Sequence, residues 1–181
     1  MNGRLATLLS RQEIYDCLLR FARGVDRLDR ELFLSAFHPD AEIAAGPFVG
    51  DPEALADWAF ALHRREQEAT LHYLLNHACE IEGEQAHAET YYLFVGRLPG
   101  GDNWLAGGRY LDRFERRQGA WRIATRVNLV EFSSRVAGLP LPFADLPDLA
   151  ENGLPARDRS DPSYARPLRN RRRRQIPEWE S

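Results

Sequence analysis

The segment Thr70-Leu-His-Tyr-Leu-Leu-Asn-His-Ala-Cys-Glu-Ile-Glu82 decides the fold, because the spacing of apolar residues changes here from that of a helix to that of a strand. From residue 69 onward, polar and apolar residues alternate in four runs, near 70–82, 86–97, 104–117 and 120–132. Short sequences that contain glycine separate these runs, which is typical of hairpins. We therefore predict four antiparallel strands.

The residues at the N-terminus predict a long helix. Apolar side chains recur at helical spacing over residues 4–24. Ser10 followed by Glu13 is a capping-box pattern, so we expect the main part of this helix to begin near Arg11.

Two shorter helices are expected before the strands. A short helix over 29–37 would have Asp29 as its N-cap. A third helix would begin at Pro52, a residue that suits the first helical position, and would run to about Glu66. Residues 41–45 between them predict a short strand, and residues 46–50 a turn.

Composition and the order of these elements predict one α+β domain. The 181 residues, of which 44% are hydrophobic, suffice for a domain with a substantial core. Helices followed by an antiparallel meander predict a curved sheet with helices on one face, over residues 1–135. The net charge of −3 favours neither a nucleic-acid nor a membrane partner, and no apolar segment reaches the length of a membrane span.

The cysteine and lysine counts limit the chemistry. Cys17 and Cys79 lack a close metal-binding spacing and are typical of reduced thiols in a cytosolic protein. The N-terminus has no signal-peptide pattern, so we predict a cytoplasmic location. The sequence contains no lysine, and all 24 basic residues are arginine. This excludes a Schiff-base lysine, a lysine-bound pyridoxal phosphate and a P-loop lysine.

The strongest candidate for catalysis is a carboxylate and an imidazole. Asp26 follows the amphipathic first helix, and His72 begins the first long strand. A histidine held by an aspartate is a general base that works near neutral pH without a metal or a cofactor. The alternative for Asp26 and His72 is a buried structural hydrogen bond. The sequence has no HExxH, facial-triad or CxxC pattern, so we predict no metal site and no cofactor.

Alternation along the strands suggests which side chains accompany His72. We expect Asn76 on the same face as His72, and His77 on the opposite face. Arg126 and Asn128 share a face of the last strand, where they would be costly to bury unless they serve a ligand or a partner.

A third strand offers room for such a ligand. Ala106 and Gly108, between Trp104 and Tyr110, would either leave space for it or allow a helix to pack closely.

Several segments, taken in order, resemble the SnoaL-like branch of the nuclear transport factor 2 (NTF2) superfamily over about residues 8–135. They are Gly24-Val-Asp26, Phe37-His-Pro-Asp-Ala41, Gly50 before a helix, Leu71-His-Tyr73 with Asn76, Tyr110-Leu-Asp-Arg-Phe-Glu-Arg-Arg117, Gly119-Ala-Trp-Arg-Ile123 and Arg126. The resemblance implies a cone-shaped, antiparallel or mixed curved sheet around a deep pocket closed by N-terminal helices, an NTF2-like α+β barrel.

The resemblance to dehydrochlorinases and dehydratases of this family also implies roles. His72 would abstract a proton, Asp26 would orient it, and Arg126 would steady the departing anion. Phe21 stands where those relatives carry Lys or Tyr, and Thr70 where dehydrochlorinases carry Cys. These differences point away from dehydrochlorination and toward a larger or more aromatic substrate.

We therefore predict a cofactor-independent lyase of the dehydratase, retro-aldol or dehydrohalogenase type, acting on an apolar aromatic or polycyclic small molecule. Alternatives are an isomerase or polyketide cyclase, a non-catalytic ligand-binding protein, and a dioxygenase β-type subunit. The predicted catalytic residues are His72, Asp26 and Arg126. The predicted substrate-binding residues are Phe21, Asn76, Tyr92, Trp104, Tyr110 and Asn128. The remaining histidines, His38, His63, His77 and His87, are expected to be structural or exposed.

The C-terminal region differs in composition from the rest. Residues 136–181 are predicted to form an extended arm, partly disordered or packed on a neighbouring subunit. The basic run 169–174 would be either a contact for an anion or a solvated or salt-bridged tail. Because relatives often use this region to close a neighbour's pocket, we predict a homo-oligomer, a trimer first and a dimer next.

Overall fold

A mixed six-stranded sheet is the framework of the computed structural model, which describes residues 3–176 and divides into the units 1–138 and 139–181. In the first unit the helices are α1 (Gly3–Asp26), α2 (Arg30–Leu34) and α3 (Pro52–Glu66). The strands are β1 (Phe37–Ala45), β2 (Phe48–Gly50), β3 (Ala69–Glu82), β4 (Gln85–Arg97), β5 (Asn103–Arg117) and β6 (Ala120–Val136).

The sheet has the strand order β2-β1-β6-β5-β4-β3. Strands β3 to β6 form the antiparallel meander that the alternation predicted. Strand β1 pairs parallel with β6 and antiparallel with β2, so residues 48–50, predicted as part of a turn, form an edge strand instead. The α+β class with a curved sheet is confirmed.

Irregularities in the strand pairing bend this sheet. The register shifts between Leu74 and His77 on β3, between Gly107 and Gly108 on β5, and between Arg113 and Phe114 on β5. An extra residue on one strand bends it and increases its twist. The buried side chains of the sheet lie on its concave face. Side chains from α1, α2 and α3 pack against them and complete the core.

Helix α1 begins earlier than its capping-box pattern suggested. It starts at Gly3, and Ser10 and Glu13 lie inside it, so the predicted start near Arg11 is wrong. The residues before Arg11 include Leu, Ala and Arg, which favour helix, and a single interior serine costs little. The apolar face that packs against the sheet starts only at Ile14.

The predicted N-cap Asp29 is confirmed, and Asp51 caps α3, which begins at Pro52 as predicted. Asp29 accepts a hydrogen bond from the backbone N–H of Leu32 at 3.2 Å, and Asp51 accepts one from Ala54 at 2.8 Å. Helix α2 is shorter than predicted, because the backbone turns at Ser35 and enters β1 at Phe37.

A close contact between α1 and α2 lies near the end of α1. A Cβ atom at Gly24 would lie 2.5 Å from the backbone nitrogen of Phe33, so only glycine allows this approach. Asp26 follows two residues later, at the last position of the helix, and is buried.

The second unit is mostly irregular within the described residues 139–176. It contains the 3₁₀ turns Leu149–Asn152 and Pro162–Tyr164. Arg172, from the basic run, makes a two-pronged ion pair with Asp148, with both N–O distances 3.0 Å. Residues 177–181 of the predicted arm lie outside the described residues.

Residues 3–176 contain no helix long and apolar enough to cross a membrane. Within the same residues, no three His, Cys, Asp or Glu side chains are grouped in a way that could hold a metal ion.

Candidate active site

The carboxylate of Asp26 and the imidazole of His72 are in direct contact. Nδ1 of His72 lies 2.6 Å from Oδ1 of Asp26, and the backbone N–H of His72 donates to Oδ2 at 2.9 Å. Both side chains are almost fully buried, 9% exposed for His72 and 12% for Asp26. Because a carboxylate accepts, Nδ1 carries the proton and Nε2 has the lone pair. This arrangement can take a proton at Nε2.

His72 borders an apolar cavity of about 390 Å³ between the helices and the concave face of the sheet. The predicted site residues that line it are Phe21, His72, Tyr92, Trp104, Tyr110, Arg126 and Asn128. Asp26 does not line it and reaches it only through His72. A larger and more open depression on the outer face, around Ala78 and His87, contains none of these residues.

The predicted position of Asn76 is wrong. The irregularity between Leu74 and His77 leaves Asn76 exposed, and it does not line the cavity. The same irregularity turns His77 inward, where its Nδ1 lies 2.9 Å from the hydroxyl of Thr90 and its ring packs on Tyr15. Strict alternation fails here because one bulge exchanges the two faces of the strand.

Arg126 is held rigidly in the wall of the cavity. Its Nε and Nη2 each donate to a carboxylate oxygen of Asp112 at 2.7 Å, and its guanidinium lies between two aromatic rings. The carbon of that group is 4.1 Å from the ring centre of Phe21 and 4.2 Å from that of Tyr110. Charge and ring faces attract each other in this geometry. The sequence did not identify the partner of Arg126, and the structure shows that it is Asp112.

The cation of Arg126 persists in spite of its burial. Desolvation opposes the charge, but the carboxylate of Asp112 outweighs it and raises the pKa of the guanidinium. The remaining nitrogen, Nη1, is buried and has no hydrogen-bond partner within the described residues. Such a buried donor is costly unless a ligand satisfies it.

Two stacked tyrosines form the floor beside Arg126. The rings of Tyr92 and Tyr110 lie 4.4 Å apart and nearly parallel, and burial raises the pKa of both phenols. Asn128 hydrogen-bonds to the hydroxyl of Tyr92, while its own Oδ1 is buried without a partner in the described part of the chain. The phenols therefore stay protonated, and they line the cavity without being able to act as bases.

The two small residues of β5 have different roles. Ala106 lines the cavity and leaves room in it. Gly108 does not, because a Cβ atom there would lie 1.9 Å from the carbonyl oxygen of Leu129. Gly108 therefore serves the close approach of β6 at its bulge and not a ligand.

His63 is a cavity residue that the sequence analysis missed. It lies on α3 and was expected to be structural or exposed, but it lines the same cavity, together with Trp58 and Phe94. His63 follows Leu55 and Ala59 at helical spacing on the buried face of α3. That spacing was a signal that could have found it.

The SnoaL-like domain model matches residues 6–127, about two thirds of the chain. The chain belongs to the SnoaL-like family. The family, and its place among the NTF2-like folds, confirm the resemblance seen in the sequence. None of the curated proteins matches the chain.

Solved structures with the same fold include enzymes. A hexachlorocyclohexane dehydrochlorinase, LinA type 2, superposes with a TM-score of 0.70 at 25% identity, over 77% of this chain and 99% of that one. LinA type 3 from Novosphingobium barchaimii gives 0.69 at 24% identity, over 75% and 96%. A putative scytalone dehydratase from Novosphingobium aromaticivorans gives 0.64 at 18%, over 76% and 97%. The last two show the fold alone.

Proposed function

We propose that this SnoaL-like protein is a cofactor-independent lyase that abstracts a proton from an apolar, aromatic or polycyclic small molecule and expels a leaving group. The observation that carries the proposal is the contact of 2.6 Å between His72 and Asp26 at the wall of an apolar cavity. The dehydrochlorinase LinA type 2 among the structural neighbours is consistent with elimination chemistry.

The base of the reaction is Nε2 of His72. Asp26 holds the imidazole in one tautomer and stabilises the imidazolium as the proton arrives. Such a positioned base contributes about 10²- to 10⁴-fold in rate. The second oxygen of Asp26 binds the backbone of His72, so the carboxylate also fixes the strand that carries the ring.

Arg126 stabilises the negative charge that develops on the substrate. Its Nη1 is a buried donor in the cavity wall, and Asp112 and the two aromatic rings hold it in place before the substrate binds. Donors fixed in advance in a dry site need no reorganisation during the reaction. The unpaired Oδ1 of Asn128 would accept a hydrogen bond from a hydroxyl of the substrate.

The cavity defines the kind of substrate. Its volume of about 390 Å³ lies at the small end of ligand pockets, which span about 300–1,000 Å³. Aromatic side chains dominate its surface near His72, including Phe21, Phe94 and Trp104. We expect a compact ring system with few polar groups.

Isomerisation or cyclisation is the second candidate, since it starts with the same proton abstraction by His72. Exchange of substrate hydrogen for solvent deuterium without loss of a group would favour it. A pocket filled by the protein's own side chains would favour a non-catalytic protein. The cavity beside His72 is open instead. That the protein is a dioxygenase β-type subunit also stays a prediction. Copurification with a larger iron–sulfur subunit would support it.

We also propose that the protein forms a homo-oligomer, a trimer first and a dimer next. Strand β3 exposes apolar side chains, and so does the C-terminal end of β6; examples are Leu71, Tyr73, Leu75 and Phe132. Exposed apolar groups of this kind are typical of interaction surfaces. Light scattering would give the number of subunits, and a monomer would contradict the proposal.

The compartment is proposed from the thiols. Cys17 and Cys79 are both free and buried, and burial raises the pKa of the Cys17 thiol to about 11. Unpaired, unreactive thiols fit a reducing compartment, the cytoplasm.

The test is a thermal-shift screen of wild type, His72→Ala and Asp26→Asn against hydroxylated aromatics, steroids and lignin-type diaryl compounds. We expect a ligand that stabilises the wild type and is converted to product only by it. Undiminished turnover by His72→Ala would overturn the proposed mechanism, and binding without turnover in all three would favour a binding protein.

A further inference from the structure

Two polar atoms in the wall of the cavity have no partner within the protein. Among the cavity-lining residues that the structure describes, only Arg126 and Asn128 have a buried side-chain atom without a hydrogen-bond partner. The atom of Arg126 is Nη1, which can only donate, and the atom of Asn128 is Oδ1, which can only accept. Because buried polar atoms are costly when unpaired, the two together indicate a ligand that offers an acceptor to one and a donor to the other.

The donor of Arg126 can be reached from the cavity. Nε and Nη2 lie along one edge of the planar guanidinium, and both donate to Asp112, which does not line the cavity. The rings of Phe21 and Tyr110 pack against the same group, 4.1 Å and 4.2 Å from its central carbon. Nη1 lies away from the edge that Asp112 occupies. Since Arg126 itself lines the cavity, Nη1 is the nitrogen that is left for a ligand.

The acceptor of Asn128 is fixed by Tyr92. Burial raises the pKa of the Tyr92 phenol, and the hydrogen bond from Asn128 opposes that rise, as a bond donated to the phenol oxygen does. The nitrogen of the amide is therefore turned toward Tyr92. Its oxygen, Oδ1, is on the other branch of the amide and is free to accept.

Strand β6 sets the distance between these two side chains. Residues 126 and 128 lie on the same face of the strand, and their Cα atoms are about 6.5 Å apart. The strand lies inside the sheet, between β1 and β5, with Asp112 opposite Arg126 and Tyr110 opposite Asn128. Because both neighbouring strands hold β6 in place, the donor and the acceptor form a fixed pair.

A carbonyl oxygen suits the donor, and a hydroxyl group suits the acceptor. When a base removes a proton from the carbon beside a carbonyl group, negative charge collects on the carbonyl oxygen, where a fixed cation stabilises it. Oδ1 of Asn128 needs a hydrogen-bond donor, which an ether, a ketone or a halogen cannot provide. A site built to bind a hydroxyl group rejects an analogue that lacks it, because the polar atom then stays unpaired.

We infer that the substrate is a hydroxylated aromatic ketone, an inference that rests on the proposed lyase function. Its carbonyl oxygen accepts a hydrogen bond from Nη1 of Arg126, and its hydroxyl group donates one to Oδ1 of Asn128. The cavity of about 390 Å³ holds a compact ring system, and Phe21 and Trp104 in its wall provide aromatic contacts for the ring. A halogenated hydrocarbon would leave both wall atoms unpaired.

Three small compounds without a leaving group test the inference. The first, 3-hydroxyacetophenone, has both oxygen groups; 3-methoxyacetophenone lacks the donor, and 3-ethylphenol lacks the carbonyl group. Calorimetry gives Kd for each compound with the wild type, with Asn128→Leu and with the double variant Asp112→Leu, Arg126→Met, which leaves no buried charge unpaired. The matched control is Asn76→Leu, since Asn76 is exposed and lies outside the cavity.

We expect the wild type to bind the hydroxy ketone about tenfold more tightly than either of the other compounds. Asn128→Leu should reduce the preference for hydroxyl over methoxyl to less than about twofold and keep the preference for the ketone. The double variant should do the reverse, and Asn76→Leu should keep both preferences. A general disturbance of the fold would not produce this crossed pattern.

The wild type alone can contradict the inference. Failure of the wild type to bind the hydroxy ketone, or equal affinity for all three compounds, would overturn the substrate class, and so would an equal loss of both preferences in Asn128→Leu. The lyase function would then still stand, because none of these compounds tests the base. Undiminished turnover by His72→Ala of the substrate found in the thermal-shift screen would instead overturn the lyase function, and the two binding preferences would be unaffected.

Discussion

Two buried acid–base pairs flank the same cavity and differ in what they leave available. Asp26 uses both oxygens to hold His72, whose Nε2 remains able to accept a proton. Asp112 uses both oxygens to hold Arg126, whose Nη1 remains able only to donate a hydrogen bond. The first pair can change its charge in the course of a reaction, and the second provides a constant positive end. The difference lies in the base that each aspartate holds.

The largest effect is expected at the first pair. His72→Ala should lower kcat by about 10³-fold, because the proton acceptor is lost. Asp26→Asn should lower it nearly as much, since an amide can hold the wrong tautomer. Both are measured on the substrate found in the thermal-shift screen, with circular dichroism to show that the fold is kept. A loss of activity in only one of the two variants would show that His72 and Asp26 do not act as a unit.

The second pair should matter for stability as well as for rate. Asp112→Asn leaves the charge of Arg126 buried without its counter-ion, which we expect to lower the free energy of unfolding by about 3–5 kcal/mol. The double variant Asp112→Leu, Arg126→Met should recover most of that stability and remain about 10²-fold slower. Urea unfolding and steady-state kinetics measure the two quantities. A double variant with normal rate would show that the positive charge has no part in catalysis.

The position of the first pair depends on the contact between α1 and α2. Gly24→Ala should lower the free energy of unfolding by about 1–3 kcal/mol, because the new methyl group meets the backbone of Phe33. The same substitution should lower kcat by a larger factor than it changes KM. The reason is that Asp26, which holds the proposed base His72, lies two residues further along the chain. Gly3→Ala, where nothing lies within 4 Å, is the matched control. Equal stability of the two variants would contradict the close contact.

Substitutions of two asparagines, one in the cavity and one exposed outside it, compare the two places as ligand-binding surfaces. Asn128→Ala should weaken ligand binding by about tenfold, as expected when one hydrogen bond to the ligand is lost. Asn76→Ala should change it by less than about twofold, because the side chain of Asn76 is exposed outside the cavity. Calorimetry with the same ligand gives both values. A larger effect at Asn76 would restore the role that the sequence suggested for it.

The smallest effect is expected at His77, a half-buried histidine whose hydrogen-bond partner is a threonine and not an aspartate. Burial lowers the pKa of His77, with a smaller opposing effect from Asp112 and a further lowering by Arg11. Its folded-state pKa lies below the unfolded value of about 6.5, so its stabilising contribution is complete above that pH and is lost as the pH falls below it. Urea unfolding at pH 8 and pH 5.5 should show a smaller acid loss in His77→Gln than in wild type. An equal loss of stability in the two proteins would assign the effect to other groups. One of them is His38, because burial lowers its pKa as well.

Local patterns were enough for the elements and their caps. The change of period near residue 69 predicted β3 to β6, Asp29 caps α2 as predicted, and α3 begins at Pro52 as predicted. The structure places Asp26 and His72 in contact, as the family resemblance implied, although their catalytic role stays a proposal. The elements and their caps depend on residues that are close together in the chain. The contact of Asp26 with His72 was implied by the family pattern, which goes with a known fold.

Long-range packing decided the rest. Whether Asn76 or His77 faces inward depends on one bulge in the pairing of β3 with β4, which alternation along a single strand cannot show. The choice of Asp112 as the partner of Arg126 follows from the register of β5 against β6, which sets the two residues opposite each other.

The sequence by itself therefore determined the class of the fold, the order of its elements and the types of residue that could do chemistry. Only the tertiary structure decided which of them share the cavity, including His63, whose ring faces His72 across two elements far apart in the chain. The physical reason is that propensity, capping and periodicity act over one or two turns of chain. A site is made by contacts between elements, whose geometry depends on the packing of the whole domain.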